Sequence, residues 1–113
     1  MNLTPSNVVE SIDVSTHAKR MHFALPVQME KEALGVLVTR RPMAREDNLT
    51  PYESARLLDV IAHASEFRGH CNDEPKQFNI WVVQSDSRDG KARNLWLQLE
   101  ILSGRYLIRM TDE

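Results

Sequence analysis

Hydrophobic and polar positions alternate most regularly in the last third of the chain. Gln77-Phe78-Asn79-Ile80-Trp81-Val82-Val83 is followed by a polar segment. Then come Asn94-Leu95-Trp96-Leu97-Gln98-Leu99-Glu100-Ile101-Leu102, Ser103-Gly104 and Arg105-Tyr106-Leu107-Ile108-Arg109-Met110. A period of two bounded by turn residues predicts three strands. Asp89-Gly90 and Ser103-Gly104 predict two-residue hairpin turns, because glycine supplies the positive φ such turns require. With Asp89-Gly90 as the turn, Val82 faces Leu97, Ile80 faces Leu99, Phe78 faces Ile101 and Asp86 faces Arg93. The same register sets Arg88 against Lys91, a like-charge pair that argues for a longer turn. With Ser103-Gly104 as the second turn, Ile101 faces Tyr106, Leu99 faces Ile108 and Leu97 faces Met110.

Both registers gather Phe78, Ile80, Val82, Leu95, Leu97, Leu99, Ile101, Tyr106, Ile108 and Met110 on one face. A slip of a single residue would scatter that set across both faces, so burial is expected to hold the register. The opposite face is mixed: Asn79, Trp81, Val83, Trp96, Gln98, Glu100, Leu107 and Arg109. It carries both tryptophans of the chain, with Trp96 opposite Val83 and Trp81 as its diagonal neighbour. The simpler expectation is that an N-terminal segment within 1–48 covers these rings, and the alternative is a recognition surface.

The clearest helix start is Thr50-Pro51-Tyr52-Glu53, a capping box with proline at the first helical position. It predicts a helix over 51–67. Leu57, Leu58, Ile61, Ala62, Ala64 and Ser65 face inward; Glu53, Arg56, Asp59, His63 and Glu66 face water. Upstream, 8–14 reads as a strand, and Ser15 or Thr16 caps a short helix running to Phe23. Pro26 breaks it. Over 27–39, Gln28 to Leu34 has helix propensity and Gly35 to Thr39 strand propensity; the reading adopted is one helix over 28–38. The expected fold is a single α+β domain spanning 1–113: a three-stranded antiparallel meander at 77–110, packed on the long helix, with an N-terminal short strand and helices.

Composition narrows the function classes. A formal charge of −2 lacks the basic footprint of a nucleic-acid binder. The single cysteine, Cys71, excludes an intrachain disulfide and suits a reducing compartment. No signal-peptide pattern and no membrane-length apolar run is present, so a cytoplasmic protein without membrane association is expected.

No catalytic or cofactor motif stands out. His63, His70 and Cys71 lie close in sequence but lack metal-ligand spacing, and His17 and His22 are five residues apart. Asp73 and Glu74 disfavour a reactive Cys71 thiolate. No nucleophile elbow, phosphate loop or dinucleotide turn occurs, and there are only four glycines. The expectation is a non-enzyme with no cofactor and no metal, with a small enzyme using His63, His70 or Cys71 as the less favoured alternative. Two basic patches, Arg40, Arg41 and Arg45 in a connector and Arg88, Lys91 and Arg93 at the first hairpin, offer a nucleic-acid surface if they converge. The stronger candidate is a protein-binding face formed by Trp81, Val83, Trp96, Gln98 and Arg109, since tryptophan and arginine dominate interface hot spots. An open meander edge would also permit a homodimer.

Ile12-Asp13-Val14-Ser15, followed by Ala18, Phe23 and Pro26-Val27, resembles the opening of a family of small uncharacterised proteins of phages and plasmids. Arg56-Leu57-Leu58-Asp59-Val60-Ile61, Phe78-Asn79-Ile80-Trp81-Val82-Val83 and Leu97-Gln98-Leu99-Glu100, with a basic turn and an acidic end, extend the likeness over most of the chain. The chain lacks the loop of tryptophan and acidic residues that the family carries after Pro26-Val27. The resemblance implies a mobile-element accessory protein in a bacterial host that binds and occludes a host protein, as an anti-defence inhibitor does. It transfers no catalytic residues.

Overall fold

The computed structural model describes residues 10–39, 45–69, 74–84 and 87–111. The elements in chain order are β1 (Ser11–Asp13), α1 (Ser15–Lys19), β2 (Val27–Glu30), α2 (Lys31–Leu37), a 3-10 turn (Glu46–Asn48), α3 (Pro51–Ser65), β3 (Lys76–Val83), β4 (Ala92–Leu102) and β5 (Arg105–Met110). The fold is of mixed α and β structure. Its strands form one five-stranded sheet in the order β1-β2-β5-β4-β3. The expected meander is present as β3-β4-β5, but it is part of a larger sheet.

The correction lies in residues 27–38. They form a strand and then a helix, where a single helix was expected. Val27 and Met29 are fully buried while Gln28 and Glu30 are half-buried, the period of a strand. β2 runs parallel to β5, with Val27 beside Tyr106 and Met29 beside Ile108, and antiparallel to β1. Pairing on both sides satisfies its backbone, and this outweighs the weak helix propensity of Gln28-Met29-Glu30. Where β2 ends, the Glu30 carboxylate continues the ladder by accepting from Met110 N–H at 2.9 Å. From Lys31 the spacing of Ala33, Leu34 and Leu37 turns helical, and all three are buried.

The second hairpin has the expected register, with Ile101 opposite Tyr106 and Leu99 opposite Ile108. Ser103 (φ 53°) and Gly104 (φ 79°) both lie in the left-handed region that a two-residue primed turn needs. The first hairpin does not have it. Val82 faces Arg93, Ile80 faces Leu95 and Phe78 faces Leu97, a shift of four residues. The connection is a longer loop shaped by Asp89, whose carboxylate accepts from Lys91 N–H at 2.9 Å and from the Ser87 hydroxyl at 3.1 Å. Because the shift is even, each residue keeps its expected face.

One face of the sheet carries the core. Ala18 of α1, Ala33, Leu34 and Leu37 of α2, and Leu57, Val60, Ile61 and Ala64 of α3 join Met29, Phe78, Ile80, Leu97, Leu99 and Ile108 in one buried cluster. The α3 capping box is as expected: Thr50 Oγ1 accepts from Glu53 N–H at 3.1 Å, and the Glu53 carboxylate accepts from Thr50 N–H at 3.0 Å. Val60 joins the inward stripe. Arg56, expected in water, is half-buried: it donates to Leu37 O at 2.9 Å and to Val83 O, joining α2 and β3 to α3. α1 stops earlier than expected. His22 (φ 68°) occupies the left-handed position after it, and Phe23 N–H returns to Ala18 O at 3.3 Å, a Schellman-type ending.

Candidate functional site

Among the described residues, α1, α2 and α3 all place their buried residues in the cluster on one side of the sheet, which leaves the opposite side without a helix. Trp96 stands opposite Asn79, and Trp81 opposite Asn94, so the two indoles are diagonal neighbours on adjacent strands. They remain neighbours despite the shifted register, because both positions keep their parity. Trp81 is 70 % exposed and Trp96 38 %. Indole rings are ordinarily buried, so this is the least expected pair of side chains on the surface. Gln98 pairs with Arg109 across β4 and β5, and both are half-buried, as is Val83. Four amides border the rings. Asn79 donates to Asn94 at 3.0 Å, Gln77 donates to Thr111 at 3.4 Å, and Gln98 donates to Glu100. The predicted residues Trp81, Trp96, Gln98 and Arg109 thus form one continuous patch, with Val83 at its upper end.

The basic residues are placed differently. Arg40 and Arg41 fall outside the described residues. Arg45 is held by Asp47 through two bonds, Nε to Oδ1 at 3.1 Å and a terminal nitrogen to Oδ2 at 2.8 Å. That hydrogen bonding, with the adjacent charge, raises the guanidinium pKa above its ordinary value. Arg93 is paired with Asp89 at 3.2 Å. Arg88 and Lys91 are exposed in the loop. The hydrogen bond from Lys91 N–H, then that from Ser87, holds the Asp89 carboxyl below the usual carboxylate range. Of the two basic patches, Arg45 is thus matched by Asp47 and Arg93 by Asp89. That pairing lowers the charge these two arginines can offer a phosphate backbone.

A third cluster was not anticipated from the sequence. The 3-10 turn brings Glu46 against the start of α1, where one carboxylate oxygen accepts from Thr16 N–H at 3.2 Å and the other from His17 N–H at 2.6 Å. The same carboxylate binds His17 Nδ1. On the far side of the ring, His17 Nε2 lies 2.5 Å from Ser54 Oγ on the first turn of α3. The His17 and Glu46 side chains are 11 % and 12 % exposed. A carboxylate only accepts hydrogen bonds, so Nδ1 carries a proton, and in the neutral ring Nε2 is then the acceptor for the serine hydroxyl. No motif in the sequence assembles a nucleophile and a base; the fold brings a serine, an imidazole and a carboxylate together. A groove of about 330 Å³ adjoins the Glu46 end, lined by Ile12, Asp13, Ser15, Thr16, Arg45, Glu46 and Asp47.

Of the histidine and cysteine candidates, His70 and Cys71 fall outside the described residues. His63 is exposed on α3, with Nδ1 against Asp59 O at 2.8 Å. Among the described residues no group of three or more His, Cys, Asp or Glu could hold a metal ion. Among them, too, no helix is long and apolar enough to cross a membrane. Comparison with protein-family models, curated proteins and solved structures finds no match.

Proposed function

We propose that the chain is a small binding protein that works by occluding a partner protein, which docks on the sheet face around Trp81 and Trp96. The observation that carries this reading is the 70 % exposure of Trp81 beside a second exposed indole, on the side of the sheet away from the helices. Removing two indoles and the aliphatic parts of Gln98 and Arg109 from water favours association, and tryptophan with arginine is the usual composition of an energetic centre in an interface. The family resemblance supplies the context for the partner: a host protein, met inside a bacterium by a mobile-element accessory factor acting as an anti-defence inhibitor. This activity needs no reaction, cofactor or metal.

The test is capture of a partner from bacterial lysate by the wild-type chain and by Trp81→Ala, Trp96→Ala and Arg109→Ala variants that retain cooperative unfolding. Loss of one specific captured protein in the tryptophan variants supports the proposal. Capture that survives all three substitutions removes this face from consideration. β3 lies at the edge of the sheet and carries Trp81, so a homodimer built through that strand is a second reading. Sedimentation equilibrium separates the two, since only the dimer is seen without a partner. Nucleic-acid binding through Arg45, Arg88, Lys91 and Arg93, with Arg40 and Arg41, is less favoured because Asp47 and Asp89 compensate Arg45 and Arg93. Retention on single- or double-stranded DNA or RNA at 50 mM salt would restore it.

A further inference from the structure

From the relay of Glu46, His17 and Ser54 we infer that Ser54 is an activated nucleophile, able to take an acyl group from an ester and pass it to water. The inference is independent of the docking face. Three observations carry it. The bonding order is that of a general-base triad: carboxylate to Nδ1, and Nε2 to the serine oxygen at 2.5 Å. The imidazole is fixed, because the carboxylate that orients it is itself held by Thr16 N–H and His17 N–H, and both side chains are about nine-tenths buried. The serine lies on the first turn of α3 and is half-buried, outside the buried core cluster.

The start of α3 also suits charge development at this position. The first N–H groups of a helix lack intrahelical partners, and the helix dipole places partial positive charge there.

The chemistry balances with these groups and water. Ser54 Oγ attacks the ester carbonyl carbon as its proton passes to His17 Nε2. The carbon–alkoxide bond then breaks, and the leaving alcohol takes that proton. Water attacks the acyl-serine, giving a proton to Nε2; the bond to Oγ breaks, and Ser54 recovers its hydrogen as the carboxylic acid departs. Glu46 is a positioning residue, which holds the ring and balances the imidazolium.

A purely structural clamp would use the same hydrogen bonds, so the test must read reactivity. The full-length chain is treated with a fluorophosphonate, which forms a phosphonyl-serine with loss of fluoride, and the labelled residue is located by peptide mass spectrometry. The expected result is one label, on Ser54. The wild-type rate should depend on pH, as general-base catalysis does. His17→Gln should lower it by about a hundredfold or more and abolish the pH dependence. Glu46→Gln should slow labelling and alter that pH dependence, and Ser65→Ala, at the other end of the helix, should leave the rate unchanged. A release of p-nitrophenol from p-nitrophenyl acetate that is lost in Ser54→Ala would give the same answer in turnover. A folded wild-type chain that stays unlabelled, or is labelled elsewhere, overturns the inference. Mapping the wild-type label decides the matter even if a substituted chain fails to fold.

Discussion

Trp81→Ala and Trp96→Ala place a quantitative condition on the docking face. A tryptophan presents roughly 250 Å². With Trp81 70 % exposed, about 75 Å² of it is covered, worth about 1.9 kcal/mol at ~25 cal/mol per Å². Trp96 is 38 % exposed, so about 155 Å² is covered, worth about 3.9 kcal/mol. Alanine retains part of each, leaving expected losses of about 1.5 and 3 kcal/mol. These are upper values, because an unfolded chain already shields some of its apolar surface. Urea denaturation followed by circular dichroism measures both, with midpoints compared at constant slope. The emission maximum of a variant retaining only Trp81 should lie near that of indole in water. A loss at Trp81 equal to or larger than that at Trp96, or a blue-shifted Trp81 emission, would refute the reasoning. The ring would then be packed against another part of the chain, and its exposure could not support docking.

The other expectations concern local structure. Gly35 lies in the interior of α2, and a β-carbon added there meets nothing within 4 Å, so Gly35→Ala should raise stability by about 1 kcal/mol in thermal unfolding. Thr50→Ala removes the acceptor for Glu53 N–H and should cost about 1 kcal/mol by the same measurement. Glu46→Ala leaves His17 Nδ1 and two N–H groups without their acceptor and should cost about 3 kcal/mol, read from denaturant midpoints. The Asp89 carboxyl titrates below its unfolded value of about 3.9. Its contribution to the loop is therefore complete above that pH and is lost as pH falls through the lower, folded value. Carboxyl-carbon NMR should show the depressed midpoint, and Asp89→Asn should remove the acidic transition from the Lys91 amide resonance.

Local signals were readable where the physics is local. The capping box at Thr50 and Glu53 involves groups three residues apart, and the Ser103-Gly104 turn fixes its own hairpin through backbone angles. The two faces of the meander were readable because side-chain alternation survives an even shift of register. The shift itself was not, because it depends on Asp89 bonding to its own loop instead of leaving a two-residue turn. β2 was missed because four residues of moderate helix propensity become a strand only when β1 and β5 pair with them. The relay was missed for the same kind of reason: Glu46 and Ser54 stand 29 and 37 positions from His17. Ser54 sits one turn before Leu57 and Leu58, a polar residue at the head of the inward stripe, and that was its only sequence signal.

The parallel seam between β2 and β5 also sets an order of events during synthesis. Glu30 and Met110 are 80 positions apart, yet their hydrogen bond belongs to the same seam. On a ribosome, β1 and β2 emerge early and have no sheet to join until β5, the last strand, has left the exit tunnel. Closing a loop of roughly 80 residues costs about 4 kcal/mol in entropy, and this must be met before the contacts that repay it form. The meander of β3, β4 and β5 is therefore expected to assemble first on α3, with the N-terminal strands annealing onto its free side in a slower, final step.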